Sequence, residues 1–102
     1  MALTKQYLKS KPVVKVTFRM PKEAAPEANV VALVGEFNNW NIQATAMERL
    51  KNGSWRTTLE LDAGREYQYR YLIDETTWEN DWEADKYVRS SFGNCDNSVV
   101  TT

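Results

Sequence analysis

Between Val13 and Met20 the chain alternates. Val14, Val16, Phe18 and Met20 are apolar, and Lys15, Thr17 and Arg19 between them are polar. A period of two marks a strand with one face in a core and the other in water. The pattern returns twice. Trp55, Thr57, Leu59 and Leu61 alternate with Arg56, Thr58 and Glu60, and Tyr67, Tyr69, Tyr71 and Ile73 alternate with Gln68, Arg70 and Leu72. Asn52-Gly53 ahead of the second run is a hairpin signal, because both residues accept positive φ. Asp62-Ala63-Gly64 turns the chain between the second and third runs. A further strand is expected from about Asn29 to Phe37, where Val31 and Leu33 would face the core. Shorter pieces are expected near Met47 and Leu50 and over Ser98–Thr101.

Little of the remainder favours helix. Residues 1–12 are polar and basic and close on Pro12, so they read as an N-terminal arm. The proline-containing stretch PKEAAPEAN reads as a connection. Short strands separated by turns argue for an all-β chain, an antiparallel β-sandwich occupying residues 13–102. Phe18, Trp55, Tyr69 and Tyr71, with Val16, Val31, Leu33, Leu59 and Ile73, are its expected core.

The charge balance, 13 basic against 14 acidic residues for a net of −1, gives no reason to expect binding to nucleic acid or to an acidic membrane. No apolar run approaches a membrane span, and the N-terminus lacks the apolar stretch of a signal peptide. Cys95 is the only cysteine, which excludes an internal disulfide. Together these features lead to the expectation of a cytoplasmic protein. Met1 and the ending Ser98–Thr102 read as those of a free-standing module.

Histidine is absent. Acid–base catalysis would then need a carboxylate or lysine far from its ordinary pKa. Asp74, Glu75, Glu79, Asp81, Glu83 and Asp85 are scattered along one polar loop and read as a solvated surface. They do not show the facing pair that a glycosidase needs, nor the glycine of an EF-hand. Cys95 has no base to activate it, and no metal-ligand cluster stands out. A non-enzyme without metal or cofactor is expected.

The stretch GEFNNWN sets one large aromatic, Trp40, among Asn38, Asn39 and Asn41. An indole beside side-chain amides suits a sugar, which has apolar C–H faces and a rim of hydroxyls. The same Trp40 could instead fold back as a lid on the core, as tryptophans commonly do. Arg70 alternates with Tyr69 and Tyr71, so it should face outward. Trp78 follows the next turn. Two indoles and a guanidinium on one patch would make an apolar platform with a donor beside it. Trp55 is expected in the core and Trp82 as a pin for the long loop, with Tyr87 a further candidate.

Taken in order, LVGEFNNW, a hairpin, GREYQYRYLIDETTW and FGNCDNSVV resemble carbohydrate-binding module family 48. That family includes the early-set N-terminal domains of isoamylases and glycogen-branching enzymes. It also includes the glycogen-binding domain of AMP-activated protein kinase beta subunits. The resemblance covers about residues 13–102. It implies an immunoglobulin-like (early-set) sandwich of about seven strands that binds α-1,4-linked glucan without catalysis.

Carried over by residue, the resemblance implies a carbohydrate site of Trp40, Arg70, Trp78, Phe92, Asp96 and Asn97. Trp40 and Trp78 match the two stacking tryptophans. Arg70 stands where glycogen-binding members have lysine, and Phe92 where an aliphatic side chain reaches over a sugar. Asp96 stands where those members have a sugar-bonding asparagine, and Asn97 follows it as a second polar residue.

The expected partner is an α-glucan polysaccharide or maltooligosaccharide, with a glycogen-metabolising enzyme as a further partner. Two alternatives stay open. One is a protein-interaction or regulatory early-set domain whose sugar site is weak or lost. The other is the N-terminal module of a glycogen branching or debranching enzyme of glycoside hydrolase family 13.

Overall fold

A computed structural model describes residues 2–91 and 95–102. Its described residues form nine strands in two antiparallel sheets, two more strands than expected. The first sheet contains β1 (Ala2–Tyr7), β2 (Val13–Met20), β4 (Glu48–Arg49) and β5 (Trp55–Asp62), in the order β1-β2-β5-β4. The second contains β3 (Val31–Gly35), β6 (Glu66–Ile73), β8 (Lys86–Arg89) and β9 (Asp96–Thr101), in the order β3-β6-β9-β8. Strand β7 (Thr77–Glu79) pairs with the end of β6.

The three alternating runs became β2, β5 and β6, and their apolar positions face one another. Val14, Val16, Phe18 and Met20 from β2 pack with Trp55 and Leu61 from β5, Leu33 from β3, and Tyr69 and Tyr71 from β6. Leu59 and Ile73 are partly buried against the same core. Aromatic edges hold its centre together. Phe18 meets Tyr69 at 5.1 Å with the rings near perpendicular, and Tyr69 meets Tyr71 in the same way at 5.9 Å. Such edge contacts add to the area each ring buries.

The turns follow their residues. Gly53 takes φ +89 in the β4–β5 hairpin and Gly64 takes φ +75 between β5 and β6. The β6–β7 hairpin has Asp74 and Glu75 at φ 51 and 61, closed by Thr76 N–H donating to the Ile73 carbonyl at 3.1 Å. Two successive positive φ values match the right-handed twist of the flanking strands. Asp74 also accepts from the backbone N–H groups of Asn29 and Val30 at 2.7 and 3.0 Å, tying this hairpin to the entry of β3.

Two expectations are corrected. Ala2–Tyr7, read as part of an arm, is an edge strand paired with β2 over its whole length. Lys5 sits opposite Val16, on the core side, and carries its ammonium to Asp85 at 2.6 Å, joining the two sheets across their edge. The strand expected over about Asn29 to Phe37 is shorter, Val31–Gly35, because Glu36–Asn38 winds into a 3-10 turn.

Candidate functional site

Strand parity divides the second sheet into two faces. Tyr69, Tyr71 and Leu33 point into the sandwich. Val34 and Arg70 pair on the outer face, as do Leu72 and Trp78. Gln68 pairs with Val99, which puts Asn97 on the outer face too, two residues along β9.

Gly35 and the turn after it present Trp40. Gly35 is ordinary extended backbone, but a Cβ there would lie 2.5 Å from the Gln68 carbonyl oxygen and 2.7 Å from the Tyr69 Cβ. Only glycine lets β3 lie this close to β6 at that point. Asn38 then locks the turn. Its Oδ1 accepts from Gly35 N–H at 3.1 Å, and its Nδ2 donates to the Leu33 carbonyl at 2.9 Å and to Thr45 Oγ1 at 3.1 Å. The amide of Asn38 is therefore used inward and is no rim for a ligand. Asn39 and Trp40 follow at φ 58 and 57, and Trp40 N–H donates to the Gly35 carbonyl at 2.8 Å. Two left-handed residues in succession reverse the chain, and the indole comes to rest half-buried.

Trp40 lines a hollow of about 180 Å³ together with Glu36, Gln68, Arg70, Ser90 and Asn97. This is smaller than the roughly 300–1,000 Å³ of enclosed pockets for drug-sized ligands. It suits a part of a ligand held against a surface. Arg70 continues from the hollow to the second indole, its guanidinium carbon 4.9 Å from the centre of the Trp78 ring. Trp78 is 42% exposed. Arg70 Nη1 also donates to Cys95 Sγ at 3.6 Å. Arg70 thus links the hollow that Trp40 lines to the face of Trp78.

The remaining expected residues fare differently. Asn97 is only 4% exposed and donates from Nδ2 to Gln68 Oε1 at 3.0 Å. Asp96 has the opposite parity and does not line the hollow, while its backbone carbonyl accepts from Asn80 Nδ2 at 2.8 Å. Phe92 lies outside the described residues.

The acidic loop is largely at the surface, as expected, except at Asp81. Asp81 is fully buried. It accepts from Tyr69 Oη at 2.7 Å, from Tyr71 Oη at 3.5 Å and from Glu83 N–H at 2.9 Å, and its own N–H donates to Ser98 Oγ at 2.8 Å. Tyr87 Oη donates to the Asp81 carbonyl at 2.5 Å. Burial pushes the phenol of Tyr69 far above its ordinary range, with Tyr71 and Asp81 adding to the shift. Burial and then Asp81 do the same to Tyr71. Both phenols therefore stay neutral donors to the carboxylate. Asp81 and Tyr87 pin the loop from within, while Trp82, the residue expected to pin it, is 52% exposed. The sequence signal was the pair of inward tyrosines, whose hydroxyls needed a buried acceptor.

A family model for carbohydrate-binding module 48 (isoamylase N-terminal domain) matches residues 13–88, a stretch that includes Trp40, Arg70 and Trp78. The chain belongs to this family of carbohydrate-binding modules. The module is also similar to the 1,4-alpha-glucan branching enzyme GlgB of Aquifex aeolicus (strain VF5), at 37% identity over 59 residues. That match takes in 56% of this chain and 9% of the branching enzyme, so the likeness concerns a small part of the larger protein. Among the described residues of the module, no helix is long and apolar enough to cross a membrane.

Proposed function

We propose that this module binds α-1,4-linked glucan of the glycogen or starch type, non-catalytically, on the outer face of its second sheet. Trp40 and Trp78 supply the apolar faces, and Arg70 and Asn97 the polar contacts. The observation that carries the reading is Arg70. It lines the hollow beside Trp40 and stacks on Trp78, joining the two candidate stacking residues into one surface. Phe92 remains a candidate from the resemblance alone. Asp96 is the weaker candidate for the sugar-bonding position, since Asn97 shares the face of Arg70.

The reading as a non-enzyme draws support from how the aspartates of the acidic loop are used. Asp74 ties a hairpin to β3, Asp81 sits beneath two tyrosines, and Asp85 joins the sheets. None of the three faces another carboxylate across the hollow. The likeness to a branching enzyme supports a second, compatible reading, in which the module serves a glycogen-metabolising enzyme of glycoside hydrolase family 13 as an appended domain or a separate partner.

The test is retention on insoluble starch or glycogen beads with β-cyclodextrin as competitor. Retention that β-cyclodextrin releases is expected. Passage through both matrices without delay would defeat the proposal and favour a protein-interaction domain.

A further inference from the structure

Two polar atoms on this face have no hydrogen-bond partner among the described residues, although both are shielded from solvent: Arg70 Nε and Asn97 Oδ1. Both side chains line the same hollow. A buried donor or acceptor left unmade is costly, and native structures carry few of them. One of these atoms is an N–H donor and the other an acceptor only.

The orientation of the Asn97 amide has a visible cause. Its Nδ2 is held by Gln68 Oε1 at 3.0 Å, which leaves Oδ1 as the unpaired end. Gln68 is itself fixed at the backbone, its N–H donating to Glu36 Oε1 at 2.7 Å. Glu36 belongs to the 3-10 turn that precedes Trp40. The chain of contacts Glu36–Gln68–Asn97 therefore runs from the Trp40 turn to the unpaired oxygen.

We infer that Gln68 is a positioning residue that sets hydroxyl selectivity, holding Asn97 so that its Oδ1 and Arg70 Nε together take one sugar hydroxyl. This rests on the glucan-binding reading above. A hydroxyl satisfies both atoms at once, accepting from Arg70 Nε–H and donating to Asn97 Oδ1. An ether oxygen in its place can accept but cannot donate. Both atoms are covered in the free protein, so access to them requires the long Arg70 side chain to shift when a sugar binds. A site built around a buried acceptor rejects a ligand without the matching donor far more strongly than an apolar surface does.

The experiment compares β-cyclodextrin with its fully O-methylated form, which keeps the apolar faces and loses every hydroxyl donor. Calorimetric titration of the wild type should favour β-cyclodextrin by about tenfold or more, the scale of one unsatisfied buried group. In Gln68→Leu the Asn97 amide is released, and the preference should shrink to about twofold or less. Gln68→Glu keeps an acceptor for Asn97 Nδ2 and should restore the preference. The side-chain amide resonances of Asn97 should shift in Gln68→Leu and return in Gln68→Glu, a readout independent of binding. A preference that survives intact in Gln68→Leu, as simple crowding by methyl groups would give, overturns the inference and leaves the glucan site standing. A wild type that binds neither cyclodextrin overturns both.

Discussion

The guanidinium of Arg70 lies over the indole of Trp78, its central carbon 4.9 Å from the ring centre. The two side chains are diagonal neighbours on one sheet face, since Trp78 pairs with Leu72. One face of the indole is therefore covered by a cation, while the residue stays 42% exposed. On the proposed glucan surface, a ring already held by the stack would lower the ordering cost of binding.

Arg70→Lys tests this arrangement. Lysine keeps the charge but loses the flat surface that stacks on the ring and the forked donors that reach the hollow. Affinity for β-cyclodextrin should fall several-fold, while stability changes by only about 0.5–1 kcal/mol, the scale of an exposed cation–π contact. Titration and thermal melting on the same sample separate the two effects. Unchanged affinity would show that the stack has no part in binding.

Asp81→Ala addresses the buried network. The substitution strips the Tyr69 hydroxyl of its acceptor and removes the oxygen that receives Glu83 N–H. Each buried donor left unpaired costs about 1–3 kcal/mol, so a loss of roughly 3 kcal/mol or more is expected in chemical denaturation. A loss under about 1 kcal/mol would mean that the loop rearranges to supply other partners.

Asp85 gives a pH signature. Burial raises its pKa, but hydrogen bonds from Lys5 and Thr101, with the Lys5 charge, outweigh that and hold it below the ordinary carboxyl value. A carboxylate depressed on folding contributes stability that is fully present above its unfolded pKa. That contribution is lost as pH falls through the folded value. The gap in melting temperature between wild type and Lys5→Met should therefore be widest above about pH 5 and close as the solution is acidified below roughly pH 4. Because both groups are partly exposed, added salt should narrow the gap at neutral pH. A gap that widens on acidification would contradict the assignment.

How far the sequence could be read varied from element to element. Strands β2, β5 and β6 were legible because alternation is a local property of the chain and the core merely obeys it. Strand β1 was not, because Lys5 occupies a core-side position in it. The partner that makes this tolerable, Asp85, lies 80 residues away. The Trp40 turn was visible as a cluster of asparagines, but not which of them would be consumed by the backbone, and Asn38 was. Arg70 facing outward followed from parity. Asp96 and Asn97 could not be told apart without the register of β9 against β6, which places Asn97 on the outer face. Asp81 was hidden among five other acids in a polar loop, since composition says nothing about which one meets the tyrosines.

The central claim is that the outer face carrying Trp40, Arg70 and Trp78 binds α-glucan. It is tested most directly at Trp78, which is exposed enough to change without opening the core. Calorimetric titration of β-cyclodextrin into wild type and Trp78→Ala, with melting curves on both, is the measurement. Wild type should bind between roughly millimolar and micromolar, about −4 to −8 kcal/mol, as a shallow surface site would. Trp78→Ala should lose at least ~2 kcal/mol of that, roughly thirtyfold, with its melting temperature nearly unchanged. Equal binding by the two proteins, or no binding by the wild type, would contradict the account.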